Sequence, residues 1–119
     1  MKQSQTEKLW REEKYHVMFH SQKYYNLIRQ AMRDQLDYDY IEQLIKTALR
    51  QMPTEGSMRN ACQHMWGYYR KIATTEQKAY YATLLDAQDF EKILSYLKQL
   101  AEIYEVTYLR ESKILQDLC

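Results

Sequence analysis

Apolar side chains recur every three or four residues along most of the chain, which is the repeat of one face of an α-helix. The repeat is cleanest where Ile41, Leu44, Ile45 and Ala48 would form a single stripe. It predicts five helical segments, at 5–33, 40–52, 57–72, 74–85 and 89–118. We therefore expect an all-α fold, a compact bundle of about five helices, with residues 1–119 forming a single domain.

Capping residues indicate where several of these helices begin and end. Ser57 is predicted to be an N-cap, because its hydroxyl can accept a hydrogen bond from a free amide of the first turn. Thr74 and Gln77 have the spacing of a capping box, which predicts the start of the fourth helix. The first helix is expected to bend near Ser21, and the β-branched pair 106–107 predicts a break in the last segment.

Glycine and proline are scarce, and this limits the choice of fold. The chain has 2 Gly and 1 Pro, which leaves little material for the tight turns of β or α/β architectures. Hydrophobic residues make up 45% of the chain, enough for a core and too many for a disordered segment. Tyrosine is frequent, at 12 residues, and most of these side chains are expected to pack half-buried between helices.

Charge is distributed unevenly along a chain whose formal net charge is only +1. Residues 1–72 carry a net +4 and residues 73–119 a net −3, so the amino-terminal part is the one suited to a polyanion. Cys62 and Cys119 form no CxxC pair and no disulfide framework, which favours a reducing cytoplasm. The polar segment 1–13 predicts no signal peptide, and no apolar run approaches the ~20 residues that span a bilayer, so no membrane partner is expected.

One face of the central helix differs from the charged exterior of an ordinary solvated helix. It carries two carboxamides, an imidazole, a phenol and a cation around Gly67, namely Asn60, Gln63, His64, Tyr68 and Lys71. In one interpretation these groups are buried and bonded to neighbouring helices, as buried amides and histidines usually are. In the other they form a recognition surface beside a helix N-terminus, whose free amides attract anions.

The sequence predicts no metal, cofactor or catalytic site. His16 and His20 are four residues apart with Glu12 one turn earlier, a spacing that can bind a metal, but the ligand set is short of the usual four. Two glycines cannot form a phosphate-cradling loop, and no serine lies in a strand-to-helix turn. An enzyme that uses His20 or His64 as a general base is the least favoured alternative.

Two motifs resemble those of the YbgA-like domain, a small helical family. The first is Trp10…Lys14-Tyr15-x-Val17-Met18…His20-Ser21-Gln22…Tyr25, and the second is Pro53-Thr54…Asn60…Gln63-His64…Gly67-Tyr68. Tyr108-Leu109 resembles a third, weaker motif, so the similarity covers nearly the whole chain. The stretch 90–118 lacks the proline-leucine segment and the PYP-like end of that family, and the chain looks like a trimmed or diverged member.

The resemblance implies a function that the residues alone do not. YbgA-like domains are catalogued as of unknown function and often follow a desulfidase domain that acts on thiolated uracil or thiouridine, where the helical part is thought to help hold tRNA. The resemblance therefore implies a non-catalytic accessory domain that binds RNA, above all tRNA, in thiolated-nucleoside metabolism. A separate desulfidase protein is then an expected partner.

RNA contacts are expected from cations, carboxamides, imidazoles and a tyrosine. The predicted nucleic-acid-binding residues are Lys14, His20, Gln22, Arg59, Asn60, Gln63, His64, Tyr68 and Lys71. The two motifs are predicted to face each other and to bring together His20, Gln22, Asn60, Gln63 and His64, beside Gly67. The alternative function is a protein-interaction or oligomerisation module, because apolar residues of 90–118 fit a heptad repeat that would allow a homodimer.

Overall fold

The computed structural model describes residues 2–117, with the side chain of Lys2 excepted, and in that range the chain forms eight helices and no strand. The helices are α1 (Lys2–His20), α2 (Gln22–Arg33), α3 (Tyr38–Leu49), α4 (Glu55–Trp66), α5 (Thr75–Asp86), α6 (Phe90–Ile103), α7 (Thr107–Arg110) and α8 (Lys113–Gln116). The all-α class is confirmed. The predicted number of about five helices is wrong, since six of the eight have 12 or more residues.

The additional helices arise where the chain breaks more sharply than the hydrophobic repeat indicates. Ser21 is extended, with φ −161 and ψ 113, and its hydroxyl accepts a hydrogen bond from the Tyr24 amide at 3.2 Å. The predicted bend in the first helix is therefore a boundary between two helices, and Ser21 is the N-cap of the second. The break predicted at 106–107 is confirmed, because α6 ends at Ile103 and α7 begins at Thr107.

The starts of α4 and α5 use the same capping box. In α5 the prediction is confirmed, since the Thr74 hydroxyl accepts from the Gln77 amide and the Gln77 side chain accepts from the Thr74 amide. In α4 the N-cap is Thr54, and the prediction of Ser57 as N-cap is wrong. Ser57 is the third helical residue, and its hydroxyl accepts from the Thr54 amide at 2.9 Å in the reciprocal half of the box.

Three helices are followed by a residue in the left-handed conformation, which usually favours glycine, but none of these residues is glycine. Gln35, Gln88 and Glu105 follow α2, α5 and α6 with φ of 57, 55 and 52. In each case the next residue's amide bonds back to a carbonyl in the last helical turn, as in a Schellman motif, for example Leu36 to Ala31 at 3.1 Å. A chain with 2 Gly therefore makes its sharp helix ends with glutamine and glutamate instead.

The core consists of two apolar clusters that share α1. One lies between α1, α2 and α3 and contains Val17, Ile28, Ile41 and Ile45. The other joins α1 to α4–α8 and contains, among others, Tyr15, Met18, Met65, Tyr69 and Leu100. None of the helices in the described part of the chain is both long and apolar enough to cross a bilayer.

The second cluster also contains much of the apolar heptad of 90–118. Leu94, Leu97, Ala101 and Leu115 are buried in the chain's own core, while Leu118 lies outside the described residues. The heptad stripe is thus covered by α1 and α4 rather than left open along one long helix. A homodimer through this stretch stays a prediction, and it would need other side chains, such as the exposed Ile103.

Candidate functional site

Four helix ends meet around an open groove of about 770 Å³. α1 ends there and α2 begins there, separated only by Ser21, while α3 ends just before Gln51 and α4 begins after Thr54. We call this the His20–His64 groove. The residues on its walls include His20, Gln22, Gln51, Gly56, Asn60 and His64.

A buried serine bonds the first turn of α4 to the last turn of α1. Ser57 is 7% exposed, and its hydroxyl donates to the Phe19 carbonyl oxygen at 2.7 Å. Carbonyls in the last turn of a helix have no partner within the helix, so Ser57 satisfies an acceptor that would otherwise be unpaired. The two sequence motifs are thereby held against each other, as predicted.

His20 closes the α3 side of the groove. Its Nδ1 lies 2.8 Å from the Gln51 carbonyl oxygen, which can only accept, so Nδ1 carries a proton. The other ring nitrogen, Nε2, bonds no residue in the described part of the chain. In the neutral ring Nε2 is therefore an acceptor, and protonation would make it a donor.

Two of the three carboxamides that line the groove bond each other across α2 and α4. Asn60 donates from Nδ2 to Oε1 of Gln22 at 2.5 Å, and Gln22 donates from Nε2 to Oδ1 of Asn26 at 3.0 Å. This leaves Oδ1 of Asn60 as an acceptor without a partner among residues 2–117, and the exposed His64 side chain also has none there. The groove is thus partly an internal network and partly free polar surface.

The groove has no side chain with a permanent charge on its walls, within the part of the chain that the structure describes. The first turns of α2 and α4 supply amides without a partner in their own helix and a partial positive charge, while the ends of α1 and α3 supply carbonyls and a partial negative charge. Glu55 begins α4 but does not line the groove, because its Oε1 accepts from Nε2 of Gln88 at 2.6 Å.

Gln63 and Gly67 lie outside this groove, so the prediction that they join His20 and His64 is wrong. They line a second groove of about 450 Å³ between α4 and α5, with Trp66, Arg70, Lys78 and Tyr81. We call it the Trp66–Tyr81 groove. It shares no lining residue with the His20–His64 groove.

Lys14 and Tyr68 lie in a third place, among the rings of Tyr15 and Tyr108. Lys14 Nζ is 5.6 Å from the Tyr15 ring centroid and 5.5 Å from that of Tyr108, so its charge already faces two aromatic rings. The Tyr15 and Tyr68 hydroxyl oxygens are 3.3 Å apart. Burial and then this hydrogen bond raise the pKa of Tyr15 far above its usual value.

The remaining predicted residues, Arg59 and Lys71, line neither groove. Arg59 is close enough to Tyr81 to lower the pKa of that phenol in part, against a larger increase caused by burial. Lys71 is exposed in the turns after α4. Several backbone bonds there span three residues instead of four, as from the Tyr69 amide to the Trp66 carbonyl at 2.8 Å. Side chains beyond Trp66 therefore leave the face that regular α-helical spacing would give them.

Sequence reasoning missed the contributions of Gln51 and Ser57. Gln51 acts through its backbone carbonyl, for which no residue type is a signal, whereas the spacing of Thr54 and Ser57 could have indicated a capping box.

For metals, residues 2–117 bring together no group of three or more His, Cys, Asp or Glu side chains that could hold an ion. His16 instead faces Glu13, with Nδ1 3.6 Å from Oε1.

Comparison with known proteins gives a family but no activity. The family described as Protein of unknown function (DUF1722) matches residues 14–118. It is grouped with the YbgA family, so the resemblance of the two motifs is supported as far as a domain of unknown function, while the association with a desulfidase stays a prediction. No curated protein and no solved structure shows a significant match to the chain.

Proposed function

The chain belongs to the DUF1722 family of proteins of unknown function, and we propose that it is a non-catalytic domain that binds RNA, above all tRNA, in the His20–His64 groove. The role in thiolated-nucleoside metabolism, with a separate desulfidase protein as partner, is the finer part of the same proposal. It is supported only by the resemblance to YbgA-like domains.

The observation that carries the proposal is the convergence of two helix N-termini with two imidazoles and three carboxamides in one open groove. Helix N-termini attract phosphate through free amides and the dipole. Carboxamides and imidazoles offer both donors and acceptors to the base edges of unpaired nucleotides. The absence of a carboxylate from the described walls means that no side chain there repels a phosphate.

Two exposed cations are next to lining residues in the sequence, Lys23 after Gln22 and Arg50 before Gln51, whereas Arg59 lies near the Tyr81 phenol. Long flexible side chains at 23 and 50 suit contacts to the phosphates on either side of a bound nucleotide, which supply affinity without sequence preference. Met52, which is 84% exposed at the rim, adds an apolar surface against which a base can pack.

A filter-binding titration with bulk tRNA tests the proposal. We expect binding at low salt that weakens steeply as salt rises, because each phosphate contact releases bound counterions. The decisive variant is Gly56→Glu, which places a carboxylate in the groove at the second position of α4. An added Cβ at Gly56 would meet nothing nearer than the Thr54 hydroxyl at 3.9 Å, and an acidic residue suits a helix N-terminus, so the fold should be retained or stabilised.

The matched control is Thr75→Glu, which adds the same charge to the exposed first turn of α5, away from the groove. We expect Gly56→Glu to weaken tRNA binding by at least about tenfold and Thr75→Glu by no more than about twofold. Absence of tRNA retention at low salt, or an equal loss in both variants, would contradict RNA binding in this groove.

A further inference from the structure

The Trp66–Tyr81 groove has a chemistry of its own, which the function proposed above does not use. Its floor is the parallel pair of the Trp66 and Tyr81 rings, whose centroids are 4.2 Å apart at an interplanar angle of 5°. Tyr81 is 5% exposed, and its hydroxyl has no hydrogen-bond partner among the described residues. Trp66 is only partly buried, so the stack presents a fixed aromatic surface at the base of the groove.

Two cations border this surface, one from each helix. Arg70 follows α4 and Lys78 belongs to α5, and both are exposed. Neither forms an ion pair within residues 2–117, whereas Arg11, Lys46 and Lys92 lie within 4 Å of a carboxylate. No acidic residue appears on the described walls of the groove. The two positive charges are therefore not neutralised by the protein itself.

An aromatic surface, two uncompensated cations and the Gln63 carboxamide together match the parts of a nucleotide. From this combination we infer that the Trp66–Tyr81 groove binds a nucleotide, with its base against the Trp66 indole and its phosphate between Arg70 and Lys78. Stacking of a base on an aromatic side chain is tolerant of base identity, and Gln63 can donate to and accept from a base edge. A peptide phosphorylated on serine or threonine would use the cations but leave the aromatic floor without a partner.

The nucleotide can be free or part of an RNA strand, and the two sources share this chemistry. The inference does not rest on the His20–His64 groove, because the two grooves have no lining residue in common. The variant Gly56→Glu should therefore leave binding here unchanged. Loss of nucleotide binding in that variant would contradict the assignment to this groove.

The fluorescence of Trp66 provides the measurement of nucleotide binding. The chain has 2 Trp, and the other, Trp10, packs on Tyr25 at 5.6 Å between ring centroids in the region of α1 and α2. In a Trp10→Phe background all tryptophan emission reports on the Trp66–Tyr81 groove. We expect saturable quenching by adenosine and uridine monophosphate at concentrations up to about 1 mM, and binding weaker by at least about tenfold for the nucleosides without phosphate.

Ala82 is the position at which to block the groove. Gly67 is less suitable, because an added Cβ would lie 3.1 Å from the His64 carbonyl oxygen, so a loss of binding there could come from a shifted backbone. Ala82 is exposed on α5 and lines the groove. Ala82→Glu places a carboxylate one helical turn from Lys78, where the two charges attract.

The control is Ala79→Glu, the same change at an exposed position of the same helix that does not line the groove. We expect Ala82→Glu to weaken nucleotide binding by at least about tenfold and Ala79→Glu by less than about threefold. Tighter binding of a short single-stranded RNA, equally sensitive to Ala82→Glu, would identify the strand as the source, and no gain over the mononucleotide would identify the free nucleotide. Absent quenching, equal effects of the two variants, or equally tight binding of a phosphotyrosine peptide would overturn the inference.

Discussion

The two grooves border the same helix and are built in opposite ways. The His20–His64 groove has bonded many of its own polar groups, through Asn60 to Gln22, His20 to the Gln51 carbonyl and Ser57 to the Phe19 carbonyl. The Trp66–Tyr81 groove keeps its cations free of any ion pair in the described chain and leaves a buried hydroxyl unpaired. Polar residues on one helix therefore serve two purposes, since some hold helix ends together while others remain available to bind a ligand.

The difference follows from what meets α4 at each end. At its first turn α4 meets the ends of α1, α2 and α3, where unpaired backbone groups need side-chain partners. Near its last turn it meets the side of α5, whose backbone groups are already bonded within the helix. Side chains there have no backbone group to satisfy. This contrast predicts that removing a bonded polar side chain at the first groove costs stability, while changing an exposed side chain at the second mainly affects ligand binding.

Alkaline pH should produce the largest loss of stability, and part of that loss arises under the Trp66–Tyr81 groove. Burial raises the pKa of the Cys62 thiol from 9.0 to about 12, and burial likewise raises the pKa of the Tyr81 phenol above its usual value of 10.0. The folded chain keeps both groups neutral at pH values where the unfolded chain ionises them. The contribution of these two groups to stability should thus be constant below about pH 9 and then fall, by about 1.4 kcal/mol per pH unit for each group between its unfolded and folded pKa.

Urea unfolding at a series of pH values measures this fall, and Cys62→Ala is the control. The variant is less stable at every pH, because it leaves a cavity, but its free energy of unfolding should decline less steeply than that of the unchanged chain above about pH 9. The buried Tyr15 and Tyr69 contribute equally in both proteins. Identical slopes would show that the thiol is not protected from ionisation.

Ser57→Ala should have the next largest effect, because it breaks the bond between α1 and α4. The Phe19 carbonyl and the Thr54 amide would both lose their partner, and we expect the free energy of unfolding to fall by about 2–3 kcal/mol. The comparison is Thr74→Ala in the α5 box, where the hydroxyl accepts only from the Gln77 amide, and there we expect about 1 kcal/mol. Equal losses would mean that the contact across to α1 adds nothing.

A pair of tyrosine substitutions should cause the smallest changes in the free energy of unfolding, and the two changes should have opposite signs. The Tyr69 hydroxyl donates to the Leu97 carbonyl at 3.1 Å, so Tyr69→Phe should cost about 1 kcal/mol. The Tyr81 hydroxyl has no partner in the described structure, so Tyr81→Phe should leave stability unchanged or raise it by up to about 1 kcal/mol. Thermal unfolding of both variants tests this, and a larger loss for Tyr81→Phe would show that its hydroxyl is bonded.

The helix boundaries were predictable where a short local sequence pattern marks the start or the end of a helix. The Thr74–Gln77 box and the 106–107 break are local features, and both appear as predicted. The helix ends at Gln35, Gln88 and Glu105 were not predictable, because glycine is the usual marker of a left-handed helix end. Each of these ends is closed by a backbone bond of the Schellman type, for which a glutamine or glutamate gives no signal in the sequence.

The candidate site was predictable only in part, for a geometric reason. His20, Gln22, Asn60 and His64 line one groove because their motifs are bonded through Ser57 and Phe19. Helical spacing placed Gln63, Tyr68 and Lys71 on the same face as Asn60. That spacing is valid only while α4 continues, and the helix ends at Trp66. Gln63 lies before that end but on the side that meets α5.

α1 links the two apolar clusters through consecutive residues. Val17 is buried in the cluster with α2 and α3, and Met18, the next residue, is buried in the cluster with α4–α8. Residues one position apart on a helix point about 100° from each other, so α1 packs two cores at once. Separation of either core from α1 would expose one of these side chains to water. We therefore expect the two parts of the molecule to unfold as a single cooperative unit, so that amide protons in both exchange with solvent through the same opening event.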